Sequence, residues 1–303
     1  MPNEFLKPKV IVSTALGLLQ RRIVLPGLVW ADAVASWDGA EGDTITIRVP
    51  ARAKARRRAL RSGGAITVDQ LRETPVPVKL TDEVYQATGV SNVELTLDIG
   101  DFGAQVLMPQ TRAVAEDLED MIATAMIAAP YTKTLTVNVT APEDTITDAR
   151  EILNDADVDR DERYAVLGSA METAYLKSEA LKKVSNSGSD SALRRAEIGD
   201  LSGVRVFGSN AIPANVGFVF HRSAFVLGIR APIVPDGVSF GQSETYEDMA
   251  MTWLRDYDAS TLADRSVVTT FAGVSTVIDG EPTAPGGPAT FVRAVKLTMP
   301  TTP

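Results

Sequence analysis

The only histidine of the chain, His221, is the first residue to consider for catalysis. A serine-type triad would need an orienting carboxylate and a nucleophile beside His221, and the sequence alone identifies neither partner. Because the chain has no cysteine, cysteine nucleophiles, disulfides and thiolate metal sites are excluded. A single histidine also excludes multi-histidine metal sites. We therefore expect His221 to be a structural residue at the start of a helix, and we keep an enzyme using His221 as an alternative.

A second candidate for chemistry is a run of alternating aspartates, which resembles the first half of a calcium-binding loop. These are Asp155, Asp157, Asp159 and Asp161. However, Arg160 occupies the position where such a loop needs glycine, and Val166 occupies the position of the bidentate glutamate. We expect a helix end and a polar turn that leads into a strand, Arg163 to Gly168. No phosphate-binding glycine motif, zincin motif or nucleophile elbow occurs, so we predict no catalytic residue, metal site or cofactor.

A basic segment between two predicted strands is the strongest charge feature of the chain. Thr44 to Pro50 and Val76 to Tyr85 alternate apolar and polar residues, as strands do. No acidic residue occurs from Thr44 to Val68. Besides Arg48, the basic residues there are Arg52, Lys54, Arg56, Arg57, Arg58 and Arg61. Two strands joined by a long charged excursion predict an extended hairpin that reaches away from the body of the protein.

The segment from Asp101 to Ala129 is predicted to be the longest helix and to organise the rest of the chain. Its apolar residues recur at steps of three and four, on one helical face: Val114, Leu118, Met121, Ile122, Ala125 and Met126. Asp101 is a candidate N-cap, and Pro109 either kinks the helix or belongs to its first turn. Four acidic residues lie on the more polar side: Glu116, Asp117, Glu119 and Asp120.

We expect the basic hairpin of one copy to dock on the acidic helix of another copy, which would use both sets of charges. Contact with nucleic acid and a merely solvated loop are the alternatives. The net charge of −9 argues against a free, non-specific nucleic-acid binder, which is usually basic. The composition, 45% hydrophobic and 23% charged over 303 residues, is that of a globular protein. No apolar run is long enough for a membrane span.

The rest of the chain alternates predicted strands and helices, which is typical of a mixed α/β domain. Leu25 to Trp30 is apolar and requires a covering surface on this chain or on a neighbour. Further predicted strands are Val93–Ile99, Leu135–Val139, Val204–Ser209, Phe218–Phe220 and Phe291–Thr298. Glu247–Tyr257 is predicted to be a strand, with a helix as the alternative, and Ser266–Ile278 is rich in β-branched residues. The remaining predicted helices are Val10–Arg22, Thr145–Asn154, Ser169–Val184 and His221–Ile229.

The order of these elements resembles the Hong Kong 97-type major capsid proteins of tailed bacteriophages, in the group with uncleaved coat proteins. The resemblance covers nearly the whole chain. It is carried by DFGAQVLMPQTRAVAEDLEDMI, ITDAREILNDADVDRDERYAVLGSAMETAYL, GDLSGVRVFGSNAIP and GFVFHRSAFVLGIRAP. It implies an α+β fold with an N-terminal arm (1–43), an extended β-hairpin loop (44–84), a peripheral domain with a long spine helix (85–130 and 259–303) and a mixed α/β axial domain (131–258).

The resemblance also implies a function: self-assembly, through hexamers and pentamers, into the icosahedral shell that encloses double-stranded DNA without reading its sequence. A portal is an implied partner. Because no long helical extension precedes the arm, the resemblance also implies a separate scaffolding protein, or none. The implied location is the virion, after assembly in the host cytoplasm. The alternatives are an encapsulin-like nanocompartment shell and, more remotely, the enzyme using His221. A nucleic-acid-binding module using Arg52 to Arg61 is the fourth hypothesis.

Overall fold

A computed structural model describes residues 24–31, 43–49, 55, 57–58, 65–66, 68, 73–92, 94–95, 102–178, 198–238, 240–246, 249–260, 263–279 and 290–300 of the chain. Its helices are α1 (Leu25–Leu28), α2 (Met108–Ala128), α3 (Pro142–Asp155) and α4 (Ser169–Lys177). The first strands are β1 (Thr44–Val49), β2 (Thr74–Lys79), β3 (Asp82–Ser91), β4 (Thr134–Thr136), β5 (Arg163–Leu167), β6 (Gly199–Leu201) and β7 (Val204–Gly208). The later strands are β8 (Val216–His221), β9 (Phe225–Arg230), β10 (Phe240–Tyr246), β11 (Met249–Asp258), β12 (Ala263–Thr276) and β13 (Ala294–Thr298).

The long helix forms where the apolar periodicity predicts it. Pro109 lies in the first turn of α2, so it begins the α-helix rather than kinking it. A π-helical turn, Gly103–Leu107, leads into the helix. Val114, Leu118, Ile122 and Met126 are buried, as their spacing predicts. The predicted N-cap, Asp101, lies outside the described residues, as do the Val10–Arg22 helix and most of Val93–Ile99.

Two sheets carry most of the remaining structure. The five-stranded sheet has the order β10-β11-β12-β3, with β9 also paired to β12, and all these pairs are antiparallel. The six-stranded sheet is mixed and has the order β4-β13-β8-β5-β7-β6. Strands β1 and β2 form a separate antiparallel hairpin whose register pairs Thr46 with Pro77.

Alternate residues of the six-stranded sheet enter two different cores, as the two-residue period of a strand requires. On one face Ala165 and Val219 pack with Ile146 of α3 and Tyr175 of α4. On the other face the adjacent residues, such as Phe218, join the larger core that contains α2 and the inner face of the five-stranded sheet.

The sheets do not divide the chain at the predicted domain boundaries. Strand β13 lies in the six-stranded sheet, although the boundaries placed it in the peripheral domain with α2. Strands β9, β10 and β11 lie in the five-stranded sheet beneath α2, although the boundaries placed them in the axial domain. The reason is that the chain crosses between the sheets at Arg222–Ala224 and again between β12 and β13.

Three predicted elements are wrong in detail. Val76–Tyr85 is not one strand, because the chain breaks at Leu80 and Thr81 between β2 and β3. Glu94 and Leu95 are helical rather than extended. The segment predicted as a helix from His221 to Ile229 is a 3-10 turn, Arg222–Ala224, followed by β9.

The other predicted elements are found within three residues of their expected limits, except the helix predicted from Ser169 to Val184, which ends at Lys177. Residues 179–184 lie outside the described residues. Thr145 is not near the cap of α3 as predicted, because α3 begins at Pro142 and Thr145 is buried inside the helix. Among the described residues, no helix is long and apolar enough to cross a membrane.

Candidate subunit interface

The hairpin of β1 and β2 is rooted firmly on the body of the protein. Val76 and Val78 of β2 are buried against Val226 of β9 and Val277 beyond β12. Leu80 N donates a hydrogen bond to Asp43 O at 2.8 Å, which closes the base of the hairpin. Packing and this hydrogen bond therefore fix the base of the hairpin on the body of the protein.

The backbone at the base of the hairpin lies so close to β12 that position 273 must be glycine. A Cβ atom on Gly273 would lie 1.9 Å from the carbonyl oxygen of Lys79, which is a backbone atom that cannot move aside easily. Ser275 Oγ also donates a hydrogen bond to Pro77 O at 3.0 Å. These contacts hold the chain turn between β2 and β3 directly on β12.

Of the six basic candidates in the loop, Arg57 and Arg58 are described, and both are exposed. Arg52, Lys54, Arg56 and Arg61 lie outside the described residues. Ile66 and Val68 follow the arginines and expose 72% and 81% of their surfaces. The described part of the loop thus combines exposed cations with exposed β-branched side chains.

The four acidic candidates on α2 differ in their surroundings. Glu116, Asp117 and Asp120 are exposed, and Glu116 forms an ion pair with Arg112 at 2.7 Å within the same helix. Glu119 is half-buried, and its Oε1 accepts hydrogen bonds from Val24 N at 2.9 Å and Leu25 N at 3.3 Å.

Glu119 therefore serves the fold of its own chain. Its carboxylate satisfies two backbone N–H groups at the start of α1, where helix geometry leaves them without partners. Leu25 and Leu28 are buried against α2 beside it. The apolar stretch Leu25 to Trp30 thus finds its covering surface on this chain. Sequence reasoning could not find this pairing, because the partners are 94 and 95 residues apart.

The inner face of the five-stranded sheet is joined to α2 by buried polar groups. Gln110 Nε2 donates to Ser266 O at 2.9 Å, and Ser266 Oγ donates to Gln110 Oε1 at 2.8 Å. Trp253 Nε1 donates to Ser266 Oγ at 2.9 Å. All three side chains are thereby satisfied where water does not reach them.

The acidic turn after α3 is organised around a buried arginine. Arg163 is 3% exposed, and its guanidinium donates to Asp159 O, Val158 O and Asn154 Oδ1 at 2.6, 2.6 and 2.9 Å. Asp157 and Glu162 adopt left-handed backbone conformations, with φ of 53° and 50°. Burial, and then the charges of Arg150 and Arg160, lower the pKa of Arg163, and the charge of Asp159 acts in the opposite direction.

This turn shows how the alternating aspartates are used. The pKa of Asp159 is lowered because its carboxylate accepts from the backbone N–H groups of Asp161 and Arg160. Across the described ranges, no cluster of three or more histidine or carboxylate side chains is arranged to hold a metal. The turn is the polar connection into β5 that the sequence predicts.

His221 ends β8 and caps the 3-10 turn that follows. Its Nδ1 lies 2.7 Å from Ser223 Oγ and accepts from Ser223 N at 3.2 Å. Burial, and then the charge of Arg293, lower the pKa of His221. Among the described residues, no carboxylate hydrogen-bonds to the ring, and the other partner of Ser223 Oγ is Arg293, a donor. The geometry is that of a cap rather than of a catalytic triad.

The comparisons with known proteins concern the fold. No protein-family model and no curated protein matches this chain. A structure from Mycobacterium phage Che8 superposes with a TM-score of 0.66 at 17% identity, covering 98% of this chain and 93% of that chain. The capsid structure of the cyanophage P-SCSP1u has a TM-score of 0.58 at 13% identity, covering 87% and 85%. A virus-like particle from Pyrococcus furiosus has a TM-score of 0.51 at 12% identity, covering 94% and 96%.

These similarities show the fold that the chain adopts. It is an α+β structure with the Hong Kong 97-type capsid fold, as the order of elements in the sequence indicates. The coverage of more than nine-tenths of both chains in the Che8 comparison means that the whole architecture is shared, not one sheet or helix.

Proposed function

We propose that this chain is the major capsid protein of a tailed bacteriophage, whose copies assemble into the icosahedral shell that encloses double-stranded DNA. The observation that carries the proposal is the superposition with the Che8 phage structure over 98% of this chain. The loop supports it, because Ile66 and Val68 expose 72% and 81% of their surfaces and would be covered by a neighbouring copy.

The role is structural rather than catalytic. The polar groups with the closest contacts, Arg163, His221 and Gln110, hold turns and elements of the fold together. Within a shell, the partners of the chain are other copies in hexamers and pentamers, a portal and a separate scaffolding protein. It is assembled in the host cytoplasm and ends in the virion.

The charge distribution suits this role. Exposed Arg57 and Arg58 would approach acidic groups of a neighbour. Asp117 and Asp120 on α2 are exposed, and unlike Glu119 they have no hydrogen bond or ion pair with the described residues. Such rim charges steer association and fix register more than they add affinity. The net charge of −9 keeps the subunit from adhering to packaged DNA, which it encloses without reading sequence.

The sheets suggest how the domains divide. The proposed peripheral domain combines β3, α2 and the five-stranded sheet, and the proposed axial domain combines residues 131–221 with β13. The N-terminal arm keeps its predicted limits, 1–43, and the extended loop keeps 44–84 except for residues 82–84, which begin β3 and go with the peripheral domain. This assignment follows the strand pairing rather than the order along the chain.

A nanocompartment shell of the same fold is the second candidate, because the Pyrococcus furiosus virus-like particle also superposes. Its TM-score of 0.51 is below the 0.66 of the Che8 structure, which favours the phage capsid.

The test is the sedimentation and content of particles from infected cells. DNA-filled particles built from this chain support the proposal, whereas particles that contain an enzyme and no DNA support the compartment. A chain that remains a 32.4 kDa monomer contradicts both.

A further inference from the structure

One edge of the five-stranded sheet is unpaired within the part of the chain that the structure describes. Strand β3 pairs with β12 along its whole length, and no strand of the described residues pairs with its other edge. Every second residue of β3 therefore directs its backbone N–H and C=O groups away from the sheet.

This edge lacks the features that usually prevent pairing with another chain. Natural sheets protect edge strands by making them short, by bulges, or by lysine and proline residues. Strand β3 has ten residues, DEVYQATGVS, without lysine, arginine or proline. Tyr85 near its centre is 67% exposed, and a Cβ atom added to Gly89 would meet nothing within 4 Å, so the face of the sheet at this strand has room for the side chains of an added strand.

A segment of the hairpin loop has the complementary property. Residues 65–68 read Ala-Ile-Thr-Val, which favours β structure. Ala65, Ile66 and Val68 are exposed and lie outside any regular element of the described residues. Ile66 and Val68 are two residues apart, so in a strand they would face the same side and pack together on one surface.

The charges around the two segments are also complementary. Asp82 and Glu83 begin β3, and Glu94 lies just beyond its end, and all three are exposed. None of them forms an ion pair with a lysine or arginine of the described residues. The segment 65–68 follows the arginines at 56–58 and 61. Opposite charges next to the pairing segments would orient and steer the approach.

We propose that residues 65–68 of one copy add as a strand to the open edge of β3 in a neighbouring copy. This inference rests on the proposed shell function and names a contact surface for its hairpin that differs from the acidic face of α2. Main-chain hydrogen bonds supply the affinity in such strand addition, and the alternate side chains supply the specificity. Val76 and Val78 hold the root of the hairpin on the body of its own copy.

Amide hydrogen exchange of the full-length protein tests the inference. In unassembled chains, the β3 amides bonded to β12 exchange slowly, and the alternate amides exchange rapidly. In assembled particles, the alternate amides become protected as well, by on the order of tenfold or more, because they then donate to the added strand. Particles in which the alternate β3 amides exchange as rapidly as in unassembled chains overturn the inference and leave the shell function standing.

A pair of variants tests the segment itself. Ile66→Pro with Val68→Pro removes two N–H donors and disfavours a ladder, at positions outside the regular elements of the unassembled chain. Ile66→Thr with Val68→Thr keeps both donors and the β-branched shape. We expect the threonine variant to assemble with β3 protected, and the proline variant to lose assembly or that protection while it unfolds like the wild type.

The outcomes of this pair are distinct. Strand addition is overturned if the proline variant forms particles in which the alternate β3 amides are fully protected. It is also overturned if both variants fail to assemble, because the contact would then depend on the apolar side chains. If wild-type chains form no particles at all, the shell function fails and the inference fails with it.

Discussion

Gln110 on α2 and Ser266 on β12 are joined by two reciprocal hydrogen bonds in the centre of the protein. The amide of Gln110 donates to the Ser266 carbonyl, and the Ser266 hydroxyl donates back to the Gln110 amide oxygen, at 2.9 and 2.8 Å. Apolar packing alone lets a helix slide over a sheet, because it has little direction. This directional pair fixes α2 at one position along β12, and with it the helix that the fold is built on.

Replacing Gln110 with alanine should destabilise the chain by about 1–3 kcal/mol, because the buried Ser266 hydroxyl loses the acceptor to which it donates. Gln105→Ala is the matched control, since Gln105 is exposed on the turn before α2 and its loss should cost much less. Urea unfolding of both variants as unassembled chains measures the difference. Equal midpoints for Gln110→Ala and the control would show that the hydrogen bonds do not hold α2 in place.

The second expected effect concerns Glu119 and the N-terminal helix. Glu119→Ala removes the acceptor of Val24 N and Leu25 N, and should cost about 1 kcal/mol, as the loss of a helix cap does. The amides of these two residues should also exchange faster. Asp120→Ala removes an exposed carboxylate one position away and serves as the control. Unchanged exchange at Val24 and Leu25 in Glu119→Ala would contradict the role of Glu119 as a cap.

The sequence predicts the long elements well, because the spacing of apolar residues and the positions of proline depend on local backbone geometry. The apolar spacing from Val114 to Met126 and the position of Pro109 are sufficient to place α2. The segment after His221 shows the limit of this approach. FVLGIR is apolar without a clear period, so it fits a buried helix or a buried strand equally well. Pairing with β12, which is 41 or more residues away in the sequence, makes it β9.

The candidate interface residues are harder to predict, because charge patterns do not reveal which groups the fold itself uses. Glu116, Glu119 and Asp120 look alike in the sequence, yet Glu119 caps α1 and Glu116 pairs with Arg112. Arg163 also follows a run of acids, but its guanidinium binds backbone carbonyls rather than carboxylates. Only the three-dimensional arrangement separates charges that hold the chain together from charges left for a neighbour.

The third expected effect is a dependence of stability on pH through His221. Its pKa lies below the ordinary 6.5, because burial and Arg293 disfavour the charged ring. Unfolded chains therefore bind the proton more readily than folded chains, so this contribution to stability is present above pH 6.5 and is lost as the pH falls toward the folded-state pKa.

His221→Gln keeps a polar side chain but does not titrate, so its unfolding free energy should fall less between about pH 8 and pH 5.5 than that of the wild type. Carboxylates titrate equally in both proteins and cancel in the comparison. Urea unfolding at a series of pH values gives the two curves. Parallel curves throughout this interval would contradict the described environment of His221.

The fourth expected effect concerns the basic loop. Neutralising Arg56, Arg57 and Arg58 together with glutamine should impair assembly, because these residues supply charge that orients the loop on a neighbour. The exposure of Arg57 and Arg58 means that the unassembled chain should unfold at the same urea concentration as the wild type. Assembly is measured by the fraction of protein that sediments as particles. Normal particle yield from the triple variant would remove the docking role of these arginines.

Electron microscopy of the purified wild-type protein tests most directly whether this chain builds a closed shell from copies of itself. We predict closed particles of icosahedral symmetry made of hexamers and pentamers, in which the hairpin of each copy lies on a neighbour. Single compact chains with no closed particle at any protein concentration, alone or with a scaffolding protein, would contradict the proposed shell function.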